Sequence, residues 1–167
     1  MDIRDRLSTR KKYLIDITNF KIIQKISTGG FGTVFMIKNH KNKTKYAAKI
    51  ISGDTGNEQS RKMINREIGI LMRLQHPNII QFIGYSLKDF KGNDNVTLIM
   101  TLAEKGSLAA VLQDVQHGLA DPIYDNTIRQ KILIGIARGM MYLHKNHVIH
   151  RDLKTWQQKE MIEALNK

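Results

Sequence analysis

The chain contains no cysteine, which excludes a disulfide framework, a thiolate metal centre and a cysteine nucleophile. No stretch approaches a membrane-spanning apolar run, and the opening Met1-Asp2-Ile3-Arg4-Asp5-Arg6 lacks the apolar core of a signal peptide. A cytoplasmic location without a membrane partner is the expectation. Carboxylates are also scarce: 15 Asp and Glu stand against 27 Lys and Arg, a formal net charge of +12 at pH 7. Such an excess suits a polyanion in principle. The basic residues, however, are not interleaved with aromatics as single-strand binding requires, so they read as a solvated face and no nucleic-acid partner is expected. The histidines, His40, His76, His117, His144, His147 and His150, form no zinc spacing with other ligands, and no metal site is assigned.

What remains is a folded, globular composition, 41% hydrophobic with both charge signs present. A chain of 167 residues has room for one domain with a real core, or for a small sheet-containing lobe plus a few helices. The order is strands first, helices second. Residues 20–27 alternate through Ile22, Gln24 and Ile26, and 33–38 do likewise, so the two make a hairpin around Gly29-Gly30-Phe31-Gly32. Polar turn material at 39–44 leads to a third strand over 45–51.

Ser60 can cap a helix running to about residue 75, with Met63, Glu67, Ile70 or Leu71, and Leu74 on one face and Pro77 ending it. Residues 79–86 and 96–102 read as two more strands around the turn Gly92-Asn93-Asp94-Asn95. Helices follow over 107–116, stopped by Gly118, and over 128–145. For the latter, Thr127 with Gln130 fits a capping box and Ile132, Ile136 and Leu143 mark the buried side. Val148-Ile149 reads as a short strand into His150-Arg151-Asp152-Leu153-Lys154.

Three motifs carry chemistry. In Ser27-Thr28-Gly29-Gly30-Phe31-Gly32-Thr33-Val34, small residues between two strands let backbone amides approach a polyphosphate. No Gly-Lys-Ser or Gly-Lys-Thr follows, so it is not a Walker loop, and strands on both sides argue against a dinucleotide fold. In Tyr46-Ala47-Ala48-Lys49, a lysine ends an apolar strand where an ammonium needs anions to meet it. Glu67 interrupts the apolar face of the first helix and is the expected partner of Lys49. The third motif is the basic-acidic pentapeptide at 150–154.

Taken in order with His76-Pro77-Asn78-Ile79 and Glu104-Lys105-Gly106-Ser107-Leu108, these motifs resemble the protein-kinase family from about Phe20 to Lys154. The resemblance implies an α+β fold: an N-lobe of a five-stranded antiparallel sheet plus one helix, then the first helices of a helical C-lobe. It divides the chain into a basic lead-in (1–19), N-lobe (20–100), hinge (101–106), partial C-lobe (107–154) and a tail unlike the family (155–167).

It further implies an ATP-dependent phosphotransferase. Ser27 stands at the first glycine of the phosphate loop, and Gly29, Gly32 and Val34 would cover the nucleotide. Ala47 would touch the adenine, and Lys49, held by Glu67, would meet the α and β phosphates. Met100 occupies the gatekeeper position, and the backbone at Thr101 and Ala103 would pair with the adenine edge. Asp152 would act as catalytic base and Arg151 would hold a phosphorylated activation loop, while Lys154 looks like the serine/threonine-type loop. Gly106-Ser107-Leu108 is similar to the tyrosine-kinase-like group. Besides ATP, a protein substrate, or a partner kinase or scaffold, is implied.

The pattern departs from the family after Lys154. Gln157 aligns with the magnesium-binding asparagine, no Asp-Phe-Gly occurs, and Met161, Ile162, Ala164 and Leu165 suggest a short amphipathic helix. Mg2+, expected for the family, therefore lacks two of its ligands, and the chain is expected to be a kinase domain cut short. The competing expectation is a catalytically inactive nucleotide-binding or protein-interaction module.

Overall fold

The computed structural model describes residues 11–30, 32–51, 57–103, 108–119 and 124–150. Five strands, β1 (Phe20–Gly29), β2 (Gly32–Asn39), β3 (Lys45–Ile50), β4 (Phe82–Ser86) and β5 (Thr97–Thr101), form one antiparallel sheet in the order β1-β2-β3-β5-β4. Among the described residues three α-helices accompany it: α1 (Glu58–Leu71), α2 (Leu108–Gln116) and α3 (Asn126–Lys145). This is the expected α+β class, an N-lobe-type sheet and helix followed by further helices. The chain divides into two compact units, residues 1–73 with 81–102, and residues 74–80 with 103–167.

The first unit has a core on each face of its sheet. On one face α1 lays Ile64 and Ile68 against Phe82, Tyr85, Val96 and Leu98. On the other, Ile37, Ala48 and Ile99 meet Ile17 and Phe20 from the chain's approach to β1. That approach is more than a lead-in: Ile15 N–H donates to the Tyr85 carbonyl at 2.8 Å, and Leu14 bridges Tyr85 in parallel. Tyr13, Leu14 and Ile15 thereby cover the outer side of β4. Gly84 permits this, since a Cβ there would collide with the Tyr13 carbonyl and the Ile15 side chain.

Several expected details differ. The α1 cap is Asn57, whose Oδ1 accepts from Gln59 N–H at 2.8 Å, so Ser60 lies inside the helix. The buried stripe is Ile64, Ile68 and half-buried Leu71, one residue out of phase with the Met63 stripe; Met63 is 62% exposed. Both stripes satisfy helical spacing, and only the position of the sheet selects between them. Nor does Pro77 end the helix, which stops at Leu71. In β1 the simple alternation fails because bulges fall between Ile22 and Gln24 and between Lys25 and Ser27.

The β4–β5 connection turns on Asp89, which the sequence reading passed over. This buried carboxylate accepts from the backbone N–H of Lys91 and Asn93 and from the side-chain amides of Asn93 and Asn95, at 2.8–3.0 Å. Burial works to raise its pKa, but these four hydrogen bonds outweigh it and hold the group at about 2, below the ordinary 3.8. Stability supplied by a depressed carboxyl is present above its unfolded pKa and lost as pH falls through the folded one. Asp89→Ala is therefore expected to lose about 2 kcal/mol near neutrality. In thermal melts from neutral pH downward, its deficit against the unaltered chain should close as pH falls towards about 2; a deficit constant with pH would contradict this role.

In the second unit, α3 starts at the cap Asp125, whose carboxylate accepts from Ile128 N–H at 2.8 Å. It displaces the expected Thr127–Gln130 box because a charged acceptor gains more from the helix N-terminus than a hydroxyl does. Ile132 and Leu143 are buried as expected, together with Gly135 and Gly139, while Ile136 is half-buried. The segment before β4 packs here, with His76 stacked on Tyr142 at 4.9 Å and Gln75 N–H donating to the Tyr142 hydroxyl at 3.0 Å. No strand forms at 148–149. Instead Val148 N–H donates to the Leu143 carbonyl and His147 N–H to that of His144, closing α3 with His147 at φ 58°. Those amides are used by the helix end and cannot enter a ladder.

Candidate functional site

The strand register places most of the nominated residues of the first unit on one sheet face. Residues two apart in a strand share a face, and cross-strand partners then line up in rows. The first row runs Ser27, Val34, Lys49, Leu98, and the second runs Gln24, Met36, Ala47, Met100. Ser27, Val34, Ala47, Lys49 and Met100 are thus brought together by pairing alone. Gln24, Met36 and Leu98, which the sequence reading did not nominate, share this face; alternation from Val34 was the signal that could have found Met36.

At the end of the first row the β1–β2 hairpin closes at Gly29 and Gly32, which are paired. Gly32, at φ +136°, approaches the Ile50 carbonyl so closely that a Cβ would overlap it. Gly29 differs, since nothing lies within 4 Å of where its Cβ would be. One glycine is needed for the backbone and the other leaves open space.

Lys49 on β3 and Glu67 on α1 form the expected pair, with Nζ donating to Oε1 at 2.9 Å. The side chains are 24% and 41% exposed, so the pair is neither sealed nor loosely solvated. Glu67 is aimed at β3 because it lies on the same side of α1 as Ile64, Ile68 and Leu71, which grip the sheet. An ammonium has three donors and the carboxylate takes one, so Lys49 retains capacity for an anionic ligand.

Thr101 ends β5, and its N–H donates to the Gln81 carbonyl at 3.0 Å while its hydroxyl accepts from Gln81 N–H at 3.2 Å. Ala103 belongs to the second compact unit. Asp152, Lys154 and Arg151 lie outside the described residues, as do Phe31 and the motif residues 104–107. Among the described residues no three His, Asp or Glu side chains could hold a metal ion. No helix among the described residues is long and apolar enough to cross a membrane.

Comparison with known proteins matches residues 20–156 to the protein kinase domain. Phytosulfokine receptor 2 of Arabidopsis thaliana is 37% identical over 148 residues, covering 87% of this chain and 13% of that protein. The serine/threonine-protein kinase STY17 of Arabidopsis thaliana is 27% identical over 141 residues, covering 84% of this chain and 23% of its own length. The dual specificity protein kinase splA of Dictyostelium discoideum is 34% identical over 153 residues, covering 90% of this chain and 6% of that protein. The chain thus spans less than a quarter of each of these relatives.

Proposed function

Since the chain belongs to the protein kinase domain family, we propose that it binds ATP against the β1–β3 face and, by family chemistry, transfers the γ-phosphate to serine or threonine hydroxyls of a protein. The observation that carries this reading is the 2.9 Å Lys49–Glu67 pair beside the row of Val34 and the glycine hairpin. In family kinases a lysine so held contacts the α and β phosphates, and catalysis is mostly positioning and charge stabilisation. Asp152 is the proposed base and Lys154 the support for the transferring phosphate. A relative named as a serine/threonine-protein kinase supports the substrate class. A cytoplasmic location completes the proposal.

A second reading, nucleotide binding without transfer, is favoured by one observation: Gln157 stands where the family has asparagine. Two measurements separate the readings. ATP at a hundred times its Kd should stabilise the fold by about 2.7 kcal/mol, and Lys49→Met should abolish that shift. Absence of any ATP shift in the unaltered chain would defeat both readings. Radiolabel transfer to a general protein substrate that disappears in Asp152→Asn supports catalysis; ATP binding without transfer leaves the second reading.

A further inference from the structure

Strands β1–β3 carry Lys21, Lys25, Lys38 and Lys45 outside the nucleotide rows, the β2–β3 turn carries Lys41 and Lys43, and no Asp or Glu occurs between Asp16 and Asp54. The register sharpens the asymmetry. Lys21 stands directly opposite Lys38, and Lys38 directly opposite Lys45, so three ammonium groups form one rank across three neighbouring strands. Like charges directly opposite are destabilising, and strands are only about 5 Å apart. Lys41 and Lys43 continue the cluster at the tip of the β2–β3 turn, which His40 N–H ties to the Asn19 carbonyl beside β1. Among the described residues none of the six lysines forms an ion pair; Lys43 donates only to the His40 carbonyl.

Protection of a sheet edge explains part of this, since lysines and bulges on an outer strand discourage pairing with another chain. It accounts for Lys21 and Lys25 on β1. It does not account for Lys38 and Lys45, whose strands lie inside the sheet, nor for the turn lysines.

We propose that the Lys21–Lys38–Lys45 rank and the adjoining Lys41–Lys43 turn form a docking surface for an extended, carboxylate-rich segment of a partner protein. A second copy of this chain is repelled by its own net charge of +12. An anionic bilayer fits poorly, because the turn Asn39-His40-Lys41-Asn42-Lys43-Thr44 has no apolar residue to insert. Single-stranded nucleic acid fits poorly because the nearest aromatic, Tyr46, is half-buried and engaged edge-on by Phe20 at 5.7 Å. An extended acidic segment needs neither insertion nor stacking, only cations spaced at intervals within side-chain reach. By alternation Lys38 and Lys45 share the face of Met36 and Ala47, one row further along, and the proposal does not require ATP to bind there.

The test is fluorescence anisotropy of a labelled oligoglutamate peptide against the full chain. Binding should weaken steeply with salt. The triple variant Lys21→Ala/Lys41→Ala/Lys45→Ala should bind about tenfold more weakly, as three exposed ion pairs allow. Removing the same charge from α3, as Arg129→Ala/Lys131→Ala/Lys145→Ala, should leave binding within about twofold. Lys41→Glu alone, at a turn position outside the ladder, should weaken binding if the triple variant does not fold. No binding, or equal loss in the hairpin and α3 variants, overturns the proposal. So does tighter binding to phosphatidylserine vesicles or to single-stranded DNA than to the peptide.

Discussion

Gly32→Ala is expected to lower stability by about 3 kcal/mol, combining strain at a positive φ with displacement of a backbone neighbour. For a chain of this size that is a fall of roughly 6–12 °C in melting temperature. The cause is specific to its place: at φ +136° its Cβ would overlap the Ile50 carbonyl, at the last pair of the β2–β3 ladder, where Thr33 faces Ile50. The backbone must yield, and Val34 and Lys49 in the next row must move with it. Gly29→Ala and Gly30→Ala meet nothing within 4 Å and should melt close to the unaltered chain. A glycine loop conserving only space above a ligand would show the opposite order, with ATP response lost and melting unchanged at every position. Melting curves of the three variants, with and without ATP, decide between the two.

The second large effect is at Ile68, which is fully buried between α1 and the sheet. Ile68→Ala should cost about 2–5 kcal/mol, the spread reflecting how far the site can collapse around the lost methyls. Met63→Ala, on the exposed side of α1, should stay within about 0.5 kcal/mol. Chemical denaturation of the two variants thereby tests which stripe of the helix faces the core; comparable losses would show that the sheet does not choose between them. Because Glu67 is the neighbouring residue, loosening α1 at Ile68 should also weaken the stabilisation by ATP, even though Ile68 is not placed against the nucleotide.

The same two helix stripes show how far the sequence could be read. Strand existence, strand order along the chain and the Lys49–Glu67 pairing were legible because each depends on local periodicity or on the need of a charge for a partner. The stripe of α1 was not, since Met63 and Ile64 both begin an acceptable apolar series and only tertiary contact distinguishes them. Caps were missed for a related reason: Asn57 and Asp125 each lie a little upstream of a hydroxyl that would also serve; Asp125 prevails by its charge, whereas Asn57 and Ser60 rank alike and only the start of the helix separates them. Val148 and Ile149 have strand composition, yet their neighbourhood belongs to the closing turn of α3, whose hydrogen bonds claim the backbone first. Asp89 carried no visible signal, because an acid beside a polar turn looks solvated until the turn is seen to wrap around it. Of the site, the β2 and β3 members of the rows follow from simple alternation, whereas the bulges in β1, which decide which of its residues share the face with Val34, could not be read.

The bridge from Leu14 to Tyr85 also constrains the order of events during synthesis. The residues 11–19 leave the ribosome before the rest of the fold, yet the carbonyl that receives Ile15 N–H belongs to β4, made some seventy residues later. Until then Leu14 and Ile15 lack this docking site and remain available to solvent or to a chaperone, although Ile17 can already meet Ile37 and Ala48. Once β4 has paired with β5, the early segment closes over its free side and completes the sheet. The first described part of this chain to be synthesised is thus among the last parts of its unit that can be put in place.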